Sequence, residues 1–153
     1  DEQPDPGTCR SNGTVTEGER SHIGDWQTLN ETVAWIRQQN ATTVARDGPF
    51  FAYQGMNIVH PPYVTVTKWF DAIDDDRIEV PEWEELGAMH PCDFQSTMLK
   101  GCIPDGDAER ALFYSKARRH RIRKIYYAMI AEFDAMVGEY MAAVKDTGLW
   151  ETT

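Results

Sequence analysis

Apolar residues recur at helical spacing from position 25 onward, where Trp26, Leu29, Val33 and Ile36 step by three or four. The spacing predicts a short amphipathic helix to about Gln39, with Asp25 or Thr28 available as its N-cap. Gly48-Pro49 then breaks the chain, and Phe50-Phe51-Ala52-Tyr53-Gln54-Gly55-Met56 is an aromatic run behind a breaker, which predicts a buried strand. Pro61-Pro62 ends it, so His60 is expected at the carboxyl end of that strand, on the loop leaving it. In open α/β sheets that edge is where ligands bind. The longest pattern comes last. Ile122, Ile125, Tyr126, Met129, Ile130, Phe133, Met136, Val137, Tyr140, Met141 and Val144 predict a long helix with one buried face, stopped by Thr147-Gly148. The methionines and aromatics of this stripe read as core packing.

Residues 1–24 carry almost no apolar side chains and read as a polar loop or tail, which leaves 25–153 as one folded unit. The helix, strand, helix order gives an α/β class, helix-rich, with one or few strands and a long helix near the C-terminus. A chain of 153 residues, 41% hydrophobic, buries one ordinary core. It begins at Asp1 and stops soon after a helix that would ordinarily feed another strand, so it reads as a piece of a longer domain.

Charge removes some functions. Fifteen Lys and Arg against twenty-five Asp and Glu give a net charge of −10, which argues against general attraction to nucleic acid or to anionic membrane. No uncharged apolar run approaches the ~18 residues that cross a bilayer. Residues 71–85 hold eight acids against Arg77 alone and read as a solvated excursion, because Asp74-Asp75-Asp76 lacks the glycine and distal glutamate of a calcium loop. The opposite sign gathers in Lys116, Arg118, Arg119, Arg121, Arg123 and Lys124, six bases within nine residues around His120. The simpler reading is a solvated face ion-paired to the acidic excursion; the other is an anion contact, with Arg119 and Arg123 as candidates.

Candidate chemistry is sparse. Cys92 and Cys102 bracket a loop that suits a disulfide in an oxidising compartment, with Cys9 left over, and neither Cys-x-x-Cys nor His-x-x-x-His spacing is present for zinc. Asn12, Asn30 and Asn40 each open an Asn-x-Thr acceptor, as expected of a glycoprotein in the secretory pathway. No Gly-x-Ser-x-Gly, phosphate loop or dinucleotide fingerprint occurs. That leaves His60, an imidazole suited to protonating a leaving group near neutral pH.

The run Pro49-Phe50-Phe51-Ala52-Tyr53 through His60-Pro61-Pro62-Tyr63 resembles the sulfatase strand that ends in a His-Pro loop. Tyr126-Tyr127-Ala128-Met129-Ile130-Ala131-Glu132-Phe133-Asp134-Ala135-Met136-Val137-Gly138 is similar to the long sulfatase helix that follows it, in the family's order. Ile78-Glu79-Val80-Pro81-Glu82-Trp83 and Met89-His90-Pro91-Cys92-Asp93 are similar to the arylsulfatase K branch, which acts on sulfated uronic acids. The resemblance covers roughly 25–153.

It implies part of an alkaline-phosphatase-like sandwich, a formylglycine nucleophile that attacks sulfur, a calcium ion held by carboxylates, and a lysosomal or extracellular location. His60 matches the family histidine that contacts the sulfate ester and supplies the proton. The Cys-x-Pro-x-Arg sequence that yields formylglycine is absent, as are the paired aspartates and the Asp-His/Asn-Gly metal motif. Nucleophile and calcium ligands are therefore expected in the remainder of the parent catalytic domain, and this central fragment alone is expected to be inactive. The rival readings are a secreted, non-catalytic glycoprotein module that holds sulfated polyanions, and a phosphoryl hydrolase of the same superfamily.

Overall fold

The computed structural model describes residues 13–82, 86–99 and 115–153. Within these, a strand, β1 (Thr14–Thr16), leads into helix α1 (Ile23–Gln38) and a short α2 (Ala41–Asp47). An extended stretch brings the chain back to β2 (Val64–Val66), which runs directly into α3 (Thr67–Asp71). After α4 (Pro91–Leu99) the long α5 (Lys116–Asp146) crosses the whole unit. β1 and β2 pair in parallel, Thr14 opposite Val64 and Thr16 opposite Val66. The described residues are thus helix-rich, with a small two-stranded parallel sheet and a long helix near the C-terminus, as fits a partial α/β fold.

The core lies between α1 and α5. Trp26, Leu29, Val33 and Ile36 are all buried, and they meet Ile125, Met129, Met136 and Ala143 of α5. Removing this much apolar surface from water stabilises the pair far more than helix propensity does. α5 starts on Ser115, whose hydroxyl accepts from Arg118 N at 3.3 Å, and ends at Thr147 before Gly148 at φ +73°, a backbone angle suited to glycine. Gly13 enters β1 at φ +70°, and a methyl group there would lie 2.5 Å from Ile125 Cδ1 and 3.1 Å from Tyr63 O. The glycine lets the first strand close onto α5.

Four expectations change. The stretch 1–24 is not wholly loop, because Thr14–Thr16 pairs with β2 while Val15 packs against the core; residues 1–12 lie outside the described residues. α1 starts earlier than Asp25, with His22 at the N-cap, and Asp25 is a buried first-turn residue instead of a cap. Residues 50–56 are not a buried strand. They form no main-chain hydrogen bond among the described residues, and Phe51 and Tyr53 are 90% and 85% exposed. Aromatic content favours a strand only where another strand is there to pair. The strand is Val64–Val66, three β-branched residues just after the prolines, so His60 precedes a strand.

The long stripe also divides. Ile125, Met129 and Met136 are fully buried, whereas Tyr126, Ile130, Phe133 and Met141 are between 37% and 41% exposed on a second apolar face.

The candidate cleft and its supports

A cleft of about 350 Å3 opens beside β2, a volume within the range of small-ligand sites. Ser21 and His22 line it from the entry to α1; Asn57, His60, Pro61 and Pro62 line it from the segment before β2, and Val64 completes it. The sheet and helix packing bring together two stretches nearly forty residues apart, each of which contributes an imidazole.

His60 is exposed at the rim, on a turn closed by His60 N donating to Asn57 O at 2.7 Å. Its Nδ1 lies 2.6 Å from Pro61 O. A carbonyl can only accept, so Nδ1 carries the hydrogen, and Nε2 is the nitrogen left for a ligand. His22 is half-buried, and its Nε2 donates in the same way to Val64 O at 3.2 Å. Next along the chain from Pro62, burial pushes the Tyr63 phenol up, with Tyr126 adding to the effect, so it stays protonated at neutral pH.

Two buried carboxylates hold the two sides of the cleft. Glu132 of α5 is fully buried and accepts from Trp26 Nε1 at 2.8 Å, from Ser21 N at 2.9 Å, from the Ser21 hydroxyl and, more weakly, from His22 N at 3.5 Å. Asp25 of α1 accepts from Asn57 N at 3.0 Å and Ile58 N at 2.8 Å. Charge-assisted bonds of this kind offset the cost of burying a carboxylate, and they fix main-chain positions on both walls. The Arg20 guanidinium stacks 4.0 Å over the Trp26 ring, adding a cation beside Glu132's main partner.

The sequence singles out His60, which the structure places at the cleft rim, but none of the residues that support the cleft. Glu132 stands between Met129 and Met136 at spacings of three and four, so an acid on the core face of a helix was the signal for it. His22 and Asn57 give no such signal, since only the return of the chain to β2 places them together.

The remaining sequence candidates lie elsewhere. Arg119 donates from Nη1 to Pro81 O at 2.8 Å, while Arg123 reaches the Tyr127 hydroxyl at 3.3 Å and sits 5.8 Å over that ring. Both engage partners within the chain. The expected link between the basic stretch and the acidic excursion is made at Asp75, which takes Lys124 Nζ at 2.6 Å and faces His120 at 3.9 Å. Lys124 holds the Asp75 carboxyl below its usual range. Asn30 and Asn40 are exposed, and Asn40 also caps α2 by accepting from Thr43 N at 3.0 Å; Asn12 lies outside the described residues. Cys92 is exposed on α4, and its suggested partner Cys102 lies outside the described residues. Among the described residues no three His, Cys, Asp or Glu side chains converge as a metal site requires, and no helix is long and apolar enough to cross a membrane.

No family model and no solved structure matches the chain. Curated proteins do. Arylsulfatase K of Gallus gallus is 34% identical over 89% of this chain and 26% of its own length. The Danio rerio protein of that name is 34% identical over 84% of the chain and 25% of its own length. The Homo sapiens one is 31% identical over 84% and 24%. The chain thus spans about a quarter of the length of the curated relatives it matches. Along that quarter the chain is related to the sulfatases, through curated relatives that carry the name arylsulfatase K.

Proposed function

We propose that this chain is the part of a sulfuric ester hydrolase that presents His60 to the ester being cleaved. The observation that carries the reading is the placement of His60 on the rim of a ligand-sized cleft, with Nδ1 committed to Pro61 O. That bond orients the ring and reserves Nε2 for the ester. From there a protonated imidazole donates to the bridging oxygen as the S–O bond breaks, so the alcohol leaves neutral. The substrate is a sulfate monoester, in keeping with the name of the relatives, and its alcohol half is a sugar or uronic acid, a choice supported by the polar lining of Ser21 and Asn57.

Among the described residues no three acids, histidines or cysteines converge to hold the calcium ion of the resemblance, and the sequence has no Cys-x-Pro-x-Arg to yield its formylglycine. Both belong to the remainder of the catalytic domain, consistent with relatives about four times as long. The same remainder would complete an alkaline-phosphatase-like sandwich and cover the exposed rings of Phe51 and Tyr53 as well as the outer side of α5. Exposed sequons at Asn30 and Asn40 support passage through the secretory pathway to a lysosomal or extracellular destination.

The test is His60→Ala in the full-length protein, assayed on sulfate and phosphate monoesters of one alcohol. The expected result is a fall in kcat on the sulfate ester of ~100-fold or more with an unchanged melting temperature. Unchanged turnover removes His60 from the reaction, and preferential cleavage of the phosphate ester moves the protein to phosphoryl transfer.

A further inference from the structure

His60 does not face the cleft alone. His22 lines the same opening from the other chain segment, although nothing in its sequence surroundings marks it as functional. Its Nε2–H is tied to Val64 O at 3.2 Å, and its main chain is drawn toward the buried Glu132 together with that of Ser21. In the neutral ring this arrangement leaves Nδ1 with a free lone pair, an acceptor and not a donor. Among the described residues Nδ1 has no protein partner. Two backbone carbonyls therefore hold the two rings by opposite nitrogens: His60 by its Nδ1–H, so that only its Nε2 faces a ligand, and His22 by its Nε2–H, so that only its Nδ1 does.

From this juxtaposition we infer that His22 is a substrate-contacting residue whose Nδ1 accepts a hydroxyl of the alcohol half of the ester, setting preference for a polyhydroxylated leaving group such as a sugar. The inference rests on the proposed role of His60, because that role places the ester in this cleft. The division of labour follows from the chemistry. A donor is needed at the ester oxygen, where charge develops as the S–O bond breaks, and an acceptor is needed a few ångströms away, where a sugar offers O–H groups and a simple phenol offers none. Glu132 acts one step back, as a positioning residue that fixes Ser21 and His22.

The experiment compares His22→Gln and His22→Ala in the full-length protein on a sulfated monosaccharide and on a small aryl sulfate with no hydroxyl besides the esterified one. The glutamine amide can still donate to Val64 O from the place of the imidazole Nε2, while its acceptor oxygen sits at the end of the side chain and not at the Nδ1 position, so it separates contact from structure. Both variants are expected to raise KM for the sugar sulfate ~5- to 10-fold more than KM for the aryl sulfate, with the loss falling on KM and not on kcat. Recovery of the normal sugar KM in His22→Gln reduces His22 to a structural strut and overturns the inference, as does an equal loss on both substrates. If His22→Ala does not fold, His22→Gln carries the test by itself. Failure of the underlying reading looks different: His60→Ala then leaves both substrates unaffected. Loss of activity in His60→Ala with an unaltered His22→Gln sinks only the present inference.

Discussion

Glu132 is the residue on which most of the local order converges. A carboxylate with no solvent exposure survives only because each oxygen has donors, and here they come from Trp26, Ser21 and His22, on a segment more than a hundred positions away in sequence. Glu132→Ala would leave the Trp26 indole N–H and the Ser21 amide buried without acceptors, at a cost of ~3–5 kcal/mol. Chemical denaturation of the variant checks this, and a loss below ~1 kcal/mol would mean that water replaces the carboxylate. The residue was visible in the sequence as an acid inside the Met129 to Met136 stripe, but a reading that follows only apolar positions passes over it. His60 was legible for a different reason: few residue types carry acid–base chemistry, and the prolines beside it fix its setting.

Elements were legible in proportion to how far their stability is local. α1 and α5 bury the residues their periodicity marks, since a helix satisfies its own backbone and needs only one partner face. Strands are decided elsewhere. Residues 50–56 carry the stronger β composition, yet among the described residues no strand lies beside them, while the short Val64–Val66 finds Thr14–Thr16. The face of α5 near its start also carries a pH dependence. Lys124 lowers the Asp75 carboxyl below the ~3.9 of an unfolded aspartate, and the more distant His120 assists. Its stabilising contribution is thus complete above ~pH 5 and lost as pH falls through the lowered native value. Asp75→Asn should flatten the decline in denaturation midpoint between pH 6 and pH 3, modestly because the carboxylate is 60% exposed, and less at high salt. An identical acid limb in the variant assigns the decline to other carboxylates.

At the scale of the molecule the distribution of apolar surface is lopsided. One side of α5 is packed against α1, the other presents Tyr126, Ile130, Phe133 and Met141, and in a separate stretch of chain Phe51 and Tyr53 stand almost free. A chain about a quarter as long as its relatives accounts for that if the outer surface meets the remaining polypeptide. The double change Phe51→Ser with Tyr53→Ser should then lower the melting temperature of the full-length protein by ~5 °C or more while the region described here keeps its helices. An unaltered melting temperature would place both rings in solvent throughout. This part of the architecture was the least legible, because a sequence marks which residues prefer to be covered and leaves open what covers them.

The anchoring of both jaws of the cleft to acids within the helix pair ties occupancy to cohesion. Asp25 grips one jaw and Glu132 the other, so widening the mouth means unzipping the joint between α1 and α5. Whatever lodges between the jaws must, by thermodynamic reciprocity, tighten that joint, and a lesion deep in the joint must loosen the lodger's grip without touching it.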